Sequence, residues 1–153
     1  MRRRSNRQDG LSPWQIARTL ALLALTRFGL RWLGFGRSYR LIARLSARPR
    51  AKISPSEPSI ARARRTADTV TRINRGYALF GASCLEESLF LWGLLRRQGV
   101  PADFRIGVRT LTGPFESHAW VELDGIALND IETVGQIYTP IDPGPAISRV
   151  HRP

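Results

Sequence analysis

The chain has 153 residues, of which 42% are hydrophobic, so it is long enough to bury one core of its own. Its single cysteine excludes an intramolecular disulfide and a zinc site built from cysteines, and two histidines do not make a histidine-rich metal site. We therefore expect neither a metal nor another cofactor, and the near absence of cysteine favours the reducing environment of the cytoplasm.

Charge is distributed unevenly along the chain. Residues 1–75 contain 18 basic and 3 acidic residues, a net charge of +15, whereas residues 76–153 contain 6 basic and 9 acidic residues, a net charge of −3. A basic first part joined to a slightly acidic second part suggests that the two parts of the chain have different functions. We predict a disordered basic tail over 1–11, a basic helical region with its linker over 12–58, and a folded core over 59–153.

An apolar stretch over 14–35 predicts an amphipathic helix near the N-terminus. Three arginines interrupt this stretch, so no uncharged run reaches the length of a membrane span. The helix is expected to have Ser12 as its cap and Pro13 as its first residue, to end near Gly34, and to be followed by a second basic helix over 38–47. Its wide apolar face is expected to pack on the core or on a partner, and peripheral contact with a membrane surface is the alternative.

Three prolines between residues 48 and 58 predict a linker, after which apolar residues at helical spacing predict a helix over 59–74. No aromatic residue lies among the arginines on the other face of this helix, so they lack the pattern that stacks nucleic-acid bases. We therefore expect a solvated basic face and no nucleic-acid partner. The arginines of this face are Arg62, Arg64, Arg65 and Arg72.

The only cysteine, Cys84, lies where the sequence predicts the start of the next helix. Ser83 and Glu86 have the spacing of a capping box, which places Cys84 at the first helical position, and Gly99 and Pro101 end the helix. The partial positive charge at a helix N-terminus stabilises a thiolate, which favours a reactive cysteine there. A lone cysteine is also compatible with a small buried apolar residue, so its neighbours must distinguish the two interpretations.

Alternating apolar and polar residues predict two strands, over 102–111 and 115–123, joined by a turn at 112–114. His118 falls on the more polar face of the second strand, beside Trp120. A strand histidine in this place is compatible with catalysis and also with no catalytic role. The deciding question is whether an acidic residue lies opposite its ring.

The turn after the second strand can take two lengths, and they send the following residues to opposite faces of the sheet. A two-residue loop over 124–125 pairs Leu123 with Ile126. A three-residue loop over 123–125, with its glycine in the left-handed conformation, pairs Glu122 with Ile126. A difference of one residue in register therefore decides which side chain faces the histidine.

With the shorter loop, Asp130 points away from His118. With the longer loop the two residues face each other, with their Cβ atoms about 5 Å apart. The spacing of 12 residues between them is even, which is compatible with the longer loop. We predict the three-residue loop, with Asp130 orienting His118 and Asn129 as the substitute if the register slips by one residue.

Several stretches of the second half form a specific combination: Cys84-Leu85, Ser88-Leu89, 94–102, 106–109, 115–122 and Asp130. This combination resembles the lasso peptide biosynthesis B2 family, most densely between residues 82 and 130. The resemblance implies a transglutaminase-like cysteine protease that removes the leader from a lasso precursor peptide. It also implies an α+β fold with a papain- or transglutaminase-like core, in which a helix bearing Cys packs on a small antiparallel sheet bearing His and Asp, with N-terminal helices in front.

The same resemblance assigns roles to three residues: Cys84 as nucleophile, His118 as base, and Asp130 as the residue that orients the imidazole. The backbone N–H of Cys84 at the helix N-terminus is a natural oxyanion donor. Asn74 and Tyr77 are candidates for the second donor.

The implied partners are the leader of the precursor peptide, a separate B1-type protein that recognises the leader, and an ATP-dependent lasso cyclase that acts on the product. Two other functions stay open at the level of the sequence. Acyl transfer to an amine instead of water uses the same residues. A non-enzymatic basic module that binds peptides, nucleic acid or membranes would not need Cys84.

Overall fold

The structure, a computed structural model, describes residues 12–47, 57–77, 81–109 and 114–141. The predicted tail over 1–11 and nearly all of the predicted linker lie outside these residues. The elements, in chain order, are α1 (Pro13–Leu45), α2 (Glu57–Gly76), α3 (Cys84–Arg97), β1 (Asp103–Arg109), β2 (Glu116–Leu123), β3 (Ile126–Ala127), α4 (Val134–Ile137) and β4 (Thr139–Ile141).

The strands form one four-stranded sheet in the order β3-β2-β1-β4, and every neighbouring pair is antiparallel. In the central pair, Gly107 of β1 lies directly opposite His118 of β2. Three helices precede the sheet in the chain, and α3 packs against it. The predicted α+β class, with a cysteine-bearing helix on a small antiparallel sheet, is confirmed.

Within the range of α1, two helices meet at a kink at Gly34, where the sequence predicts the first helix to end. Gly34 has φ of +72° and ψ of 170°, a backbone conformation that a side chain disfavours. Both halves of α1 pack on α3. Arg27 in the first half pairs with Glu86 at 3.7 Å, and a Cβ added to Gly93 would lie only 2.6 Å from Ile42 Cγ2 in the second half.

One large core joins the helices to the inner face of the sheet. Tyr39 of α1 stacks on Trp92 of α3 with ring centroids 4.6 Å apart, and the Trp92 indole donates a hydrogen bond of 3.0 Å to the carbonyl of Ala102. Since α1 contributes to this core, the basic N-terminal region and the sheet are stabilised by the same contacts. Buried members of the core include Leu23, Tyr39, Val70, Leu89, Trp92, Phe104 and Val121.

The outer face of the sheet has a second, smaller cluster. Trp120, Ala127 and Val134 are buried there, and Tyr138 packs against them. Gly107 lies beneath this cluster, where an added Cβ would meet Trp120 and Tyr138 at 2.8 Å. Val134 of α4 and the following Tyr138 therefore cover part of the sheet face on which His118 lies.

Candidate active site

The N-terminus of α3 is built as the sequence predicts. The Ser83 hydroxyl accepts a hydrogen bond of 3.4 Å from the backbone N–H of Glu86, and the Glu86 carboxylate accepts one of 2.8 Å from the backbone N–H of Ser83. This capping box makes Cys84 the first residue of the helix. The Cys84 side chain is exposed, as a nucleophile must be.

A buried polar network holds the segment before Cys84 against α2. Asn74 bonds both backbone groups of Ala82, accepting from its N–H at 2.7 Å and donating to its carbonyl at 3.1 Å. The Asn74 amide also donates to the Glu87 carboxylate at 2.5 Å, and the Thr71 hydroxyl donates to the same carboxylate at 2.5 Å. Both amide protons of Asn74 are thus in use, so this residue positions the helix end and has no N–H left for an oxyanion.

A second buried contact joins α3 to the strand that carries the histidine. Ser88 donates a hydrogen bond of 2.9 Å to the carbonyl of Ala119, the residue after His118. Ser88 also accepts one of 2.9 Å from the amide of Asn129. Residues four apart lie on the same face of a helix, about 5.4 Å along its axis. Cys84 therefore lies one helical turn from Ser88, whose hydrogen bond to Ala119 ties α3 to the strand next to His118.

The hairpin that follows β2 differs from the prediction. Leu123 pairs with Ile126, so the loop has two residues, and the predicted three-residue loop is wrong. Asp124 and Gly125 have φ of +51° and +77°. Two positive φ values in a two-residue loop match the twist of the flanking strands, and Asp-Gly is a preferred sequence for that turn. This local turn chemistry determines the register.

Asp130 nevertheless reaches His118, because the chain leaves the sheet early. The N–H of Leu128 still bonds the carbonyl of Val121 at 2.9 Å. The N–H of Val121, however, bonds the side-chain oxygen of Asn129 at 2.9 Å. This side-chain bond ends the regular ladder, and the following bend turns Asp130 toward the histidine. Asn129, the predicted substitute, holds this bend, and its side-chain hydrogen bonds go to Val121 and Ser88.

His118 and Asp130 are brought together as predicted, although by a different backbone path. Nε2 of the imidazole contacts Oδ2 of Asp130, and Oδ1 accepts a hydrogen bond of 2.7 Å from the N–H of Ile131. Both side chains are 24% exposed. Within the described ranges, no hydrogen bond joins the Cys84 sulfur to His118. The structure therefore assembles the imidazole–carboxylate pair, with Cys84 exposed at the start of the helix that is bonded to the same strand.

Tyr138 supports the other side of the imidazole, a contact that the sequence pattern does not predict. Its ring centroid lies 5.0 Å from that of His118. Its hydroxyl donates to Glu116 at 3.2 Å, and the same carboxylate oxygen accepts from Arg109 at 2.6 Å. The bond from Arg109 lowers the pKa of the Glu116 carboxyl, while burial and the bond to Glu116 raise the pKa of the Tyr138 phenol. In the sequence Tyr138 is one aromatic residue just before β4, with no spacing that pairs it with His118.

Comparison of the chain with known proteins identifies a family. The family model described as Transglutaminase-like superfamily matches residues 22–142, which include Cys84, His118 and Asp130. A stretch of 52 residues, 34% of this chain, is 42% identical to the microcin J25-processing protein McjB of Escherichia coli and spans 24% of that protein. No solved structure gives a significant match. The chain belongs to the transglutaminase-like superfamily.

Proposed function

We propose that this protein is a cysteine peptidase that removes the leader from a lasso precursor peptide. The observation that carries the proposal is the contact between His118 and Asp130, on a strand tied to the helix whose first residue is the exposed Cys84. Membership of the superfamily supports the enzyme type. The similarity to a microcin J25-processing protein, together with the resemblance to the B2 family, supports a peptide precursor as substrate.

The orientation of the imidazole defines its role. A neutral imidazole that donates its Nε2 proton to Asp130 keeps a lone pair on Nδ1, and Nδ1 can then accept the Cys84 proton. Asp130 thereby holds the tautomer that a general base needs. Catalytic hydrogen bonds are often long without substrate, so we expect the thiol and Nδ1 to meet when the peptide binds.

The reaction then follows the general scheme of a cysteine nucleophile. The Cys84 sulfur attacks the last carbonyl of the leader, and its proton moves to His118. The backbone N–H of Cys84, which has no acceptor among the described residues, stabilises the oxyanion. The imidazolium of His118 gives its proton to the departing amine of the core peptide, which leaves a thioester. Water, deprotonated by His118, cleaves this thioester and restores the thiol.

Partner recognition is the second part of the proposal. The B2 resemblance implies a separate B1-type protein that delivers the leader and an ATP-dependent cyclase that uses the released amine. The exposed basic face of α2, with Arg62 and Arg65, would dock the leader-binding partner or an acidic stretch of the leader. Arg64 on the same helix is already paired with Glu132 at 2.7 Å. Reversal of charge at Arg62 and Arg65 should weaken complex formation and leave cleavage of a short peptide unchanged.

The experiment is product analysis by mass spectrometry, with the precursor encoded beside this protein's gene and the leader-binding partner present. Hydrolysis leaves a free carboxylate on the leader, whereas acyl transfer leaves an amide. Cys84→Ala should abolish cleavage, and Glu132→Gln, an exposed control, should retain it. An amide-linked product would support acyl transfer instead. Full function in Cys84→Ala would support the non-enzymatic binding module and exclude a peptidase.

A further inference from the structure

The first half of α1 carries an apolar row that faces away from the protein. Trp14, Ala21, Leu25, Phe28 and Trp32, here called the outer row, are separated by seven, four, three and four residues. At 3.6 residues per turn these steps keep all five within about 60° of the helix circumference. The four large side chains are 73%, 65%, 61% and 72% exposed. The row is therefore a continuous surface, and the rings of Phe28 and Trp32 lie 5.6 Å apart.

Folding of the domain does not require the outer row. Leu23, which is 2% exposed, lies on the opposite side of the helix and packs in the core. The helix is thus apolar on two opposite faces, and among the described residues only one of them packs in the core. The tryptophans show the same contrast: Trp92 and Trp120 are fully buried, whereas Trp14 and Trp32 are the most exposed large apolar residues of the described ranges.

The charge of α1 indicates what could cover this row. The helix contains six arginines and no acidic residue. Only Arg27 has an ion pair within the described ranges, with Glu86 at 3.7 Å. Arg18 lies at the edge of the outer row, and Arg31 lies beside its C-terminal end. The exposed apolar row is therefore accompanied by cations whose charge nothing in the described protein neutralises.

We propose that the outer row binds peripherally to an anionic membrane surface, with the helix lying in the plane of the interface. A helix that presents Trp, Phe and Leu together with arginines binds the boundary between headgroups and acyl chains. Trp side chains favour this boundary because they have an apolar body and a polar N–H. Trp14 and Trp32 lie about 27 Å apart along the helix, so they would anchor both ends of a long convex surface.

This attachment is peripheral and not a span, since no helix in the described ranges is long and apolar enough to cross a membrane. The arginines would bind anionic headgroups and the outer row would enter the interface, so both must contribute to affinity. A protein partner on the same row is the competing occupant. It predicts that lipid vesicles are not bound, which separates the two interpretations in one measurement.

The test is co-sedimentation of the full chain with vesicles of phosphatidylcholine, with and without phosphatidylglycerol. We expect binding to the anionic vesicles only, weakened by added salt. The double variant Trp14→Glu and Trp32→Glu should reduce affinity about tenfold or more. Phe115→Glu, at a residue that is 70% exposed outside α1, is the matched control and should bind as the wild type does. Absence of binding, or equal loss in variant and control, would overturn the proposal.

Tryptophan fluorescence gives a second measurement that identifies the surface. Two of the four tryptophans are buried, so a blue shift of emission on vesicle addition must come from Trp14 and Trp32. Brominated lipid should quench this emission in the wild type. In Trp14→Phe with Trp32→Phe, which keeps the row apolar, the quenching should be lost while sedimentation persists. Quenching that survives this replacement would place the contact elsewhere and overturn the proposal.

Discussion

The two faces of the sheet are built from different chemistry. On the inner face, Ala119, Val121 and Leu123 are at most 2% exposed and pack on α3. On the outer face, His118 is partly exposed, and its neighbourhood contains charged and hydrogen-bonded groups. The inner face supplies the apolar burial that drives folding, whereas the outer face supplies the polar partners that the proposed base would need.

The largest effect is expected on the outer face, from Asp130→Asn. The amide cannot hold the imidazole in the required tautomer or stabilise its charged form, so cleavage should slow by about 10³- to 10⁴-fold. The unfolding midpoint should change little, since the side chain is partly exposed and an amide oxygen can still accept from Ile131. The measurement is a single-turnover cleavage rate together with a thermal melt.

The matched control is Asp124→Asn, the same chemical change six residues earlier on the same hairpin. Asn tolerates the positive φ of +51° at this position, so both rate and stability should be retained. Retention of cleavage within about tenfold in Asp130→Asn would mean that this carboxylate does not orient the base.

The inner face should respond in the opposite way. Leu95→Ala removes a side chain that is fully buried in the α3 interface, and the lost burial plus the cavity should lower the free energy of unfolding by about 2–5 kcal/mol. Cleavage per folded molecule should stay near the wild-type rate. Urea unfolding and a rate measured well below the midpoint test this. Leu45→Ala, at a residue that is 68% exposed, should shift stability by less than about 0.5 kcal/mol.

A substitution at Gly107 should affect both properties. Its added Cβ would lie 2.8 Å from Trp120 and Tyr138, and the residue sits opposite His118. Gly107→Ala should therefore lower stability by about 1–3 kcal/mol and also slow cleavage by displacing the rings beside the imidazole. Gly135→Ala is the control, because its nearest contact would be an ordinary 3.9 Å. A stable Gly107→Ala with a full rate would mean that the outer cluster does not position His118.

Local sequence signals predicted the parts of the site that depend on neighbouring residues. The capping box at Ser83 and Glu86 and the position of Cys84 needed only spacing, and the strand faces needed only alternation. The even spacing of His118 and Asp130 favours the three-residue loop, but the turn preference of Asp124-Gly125 determines the loop length. An even spacing puts two residues opposite each other only if the strands pair regularly. In the observed register, regular pairing would point Asp130 away from His118.

The contacts that the sequence could not reveal are the long-range ones. Asn129 ends the ladder by bonding Val121 and Ser88, and Asn74 secures the helix end through Glu87. From the sequence alone, Asn129 and Asn74 cannot be distinguished from solvent-exposed polar residues, because their partners are distant in the chain. Buried polar groups need hydrogen-bond partners. Ser88 and Glu87 are polar residues on an otherwise apolar helix face, and this position is the sequence signal for such distant partners.

The smallest expected effect concerns Glu116, which links Arg109 to Tyr138 on the outer face. The hydrogen bond from Arg109 lowers the pKa of this carboxyl in the folded protein, so the ionised form contributes stability. That contribution is complete above the unfolded pKa of about 4.3 and is lost as pH falls through the lower folded value. Both partners of the pair are more than 40% exposed, so the effect should be modest and weaker in high salt.

Comparison of the wild type with Glu116→Gln across pH tests this sign. The difference in urea midpoint should be present at about pH 7, should shrink below about pH 4.3, and should vanish once the carboxylate is protonated. A difference that grows in acid would contradict the assignment. Cleavage at neutral pH should fall slightly in the variant, because Tyr138 loses a charged acceptor and packs less firmly on His118. A change in stability without any change in rate would mean that Glu116 stabilises the fold only. Asp130 and Tyr138 would then position the imidazole without it.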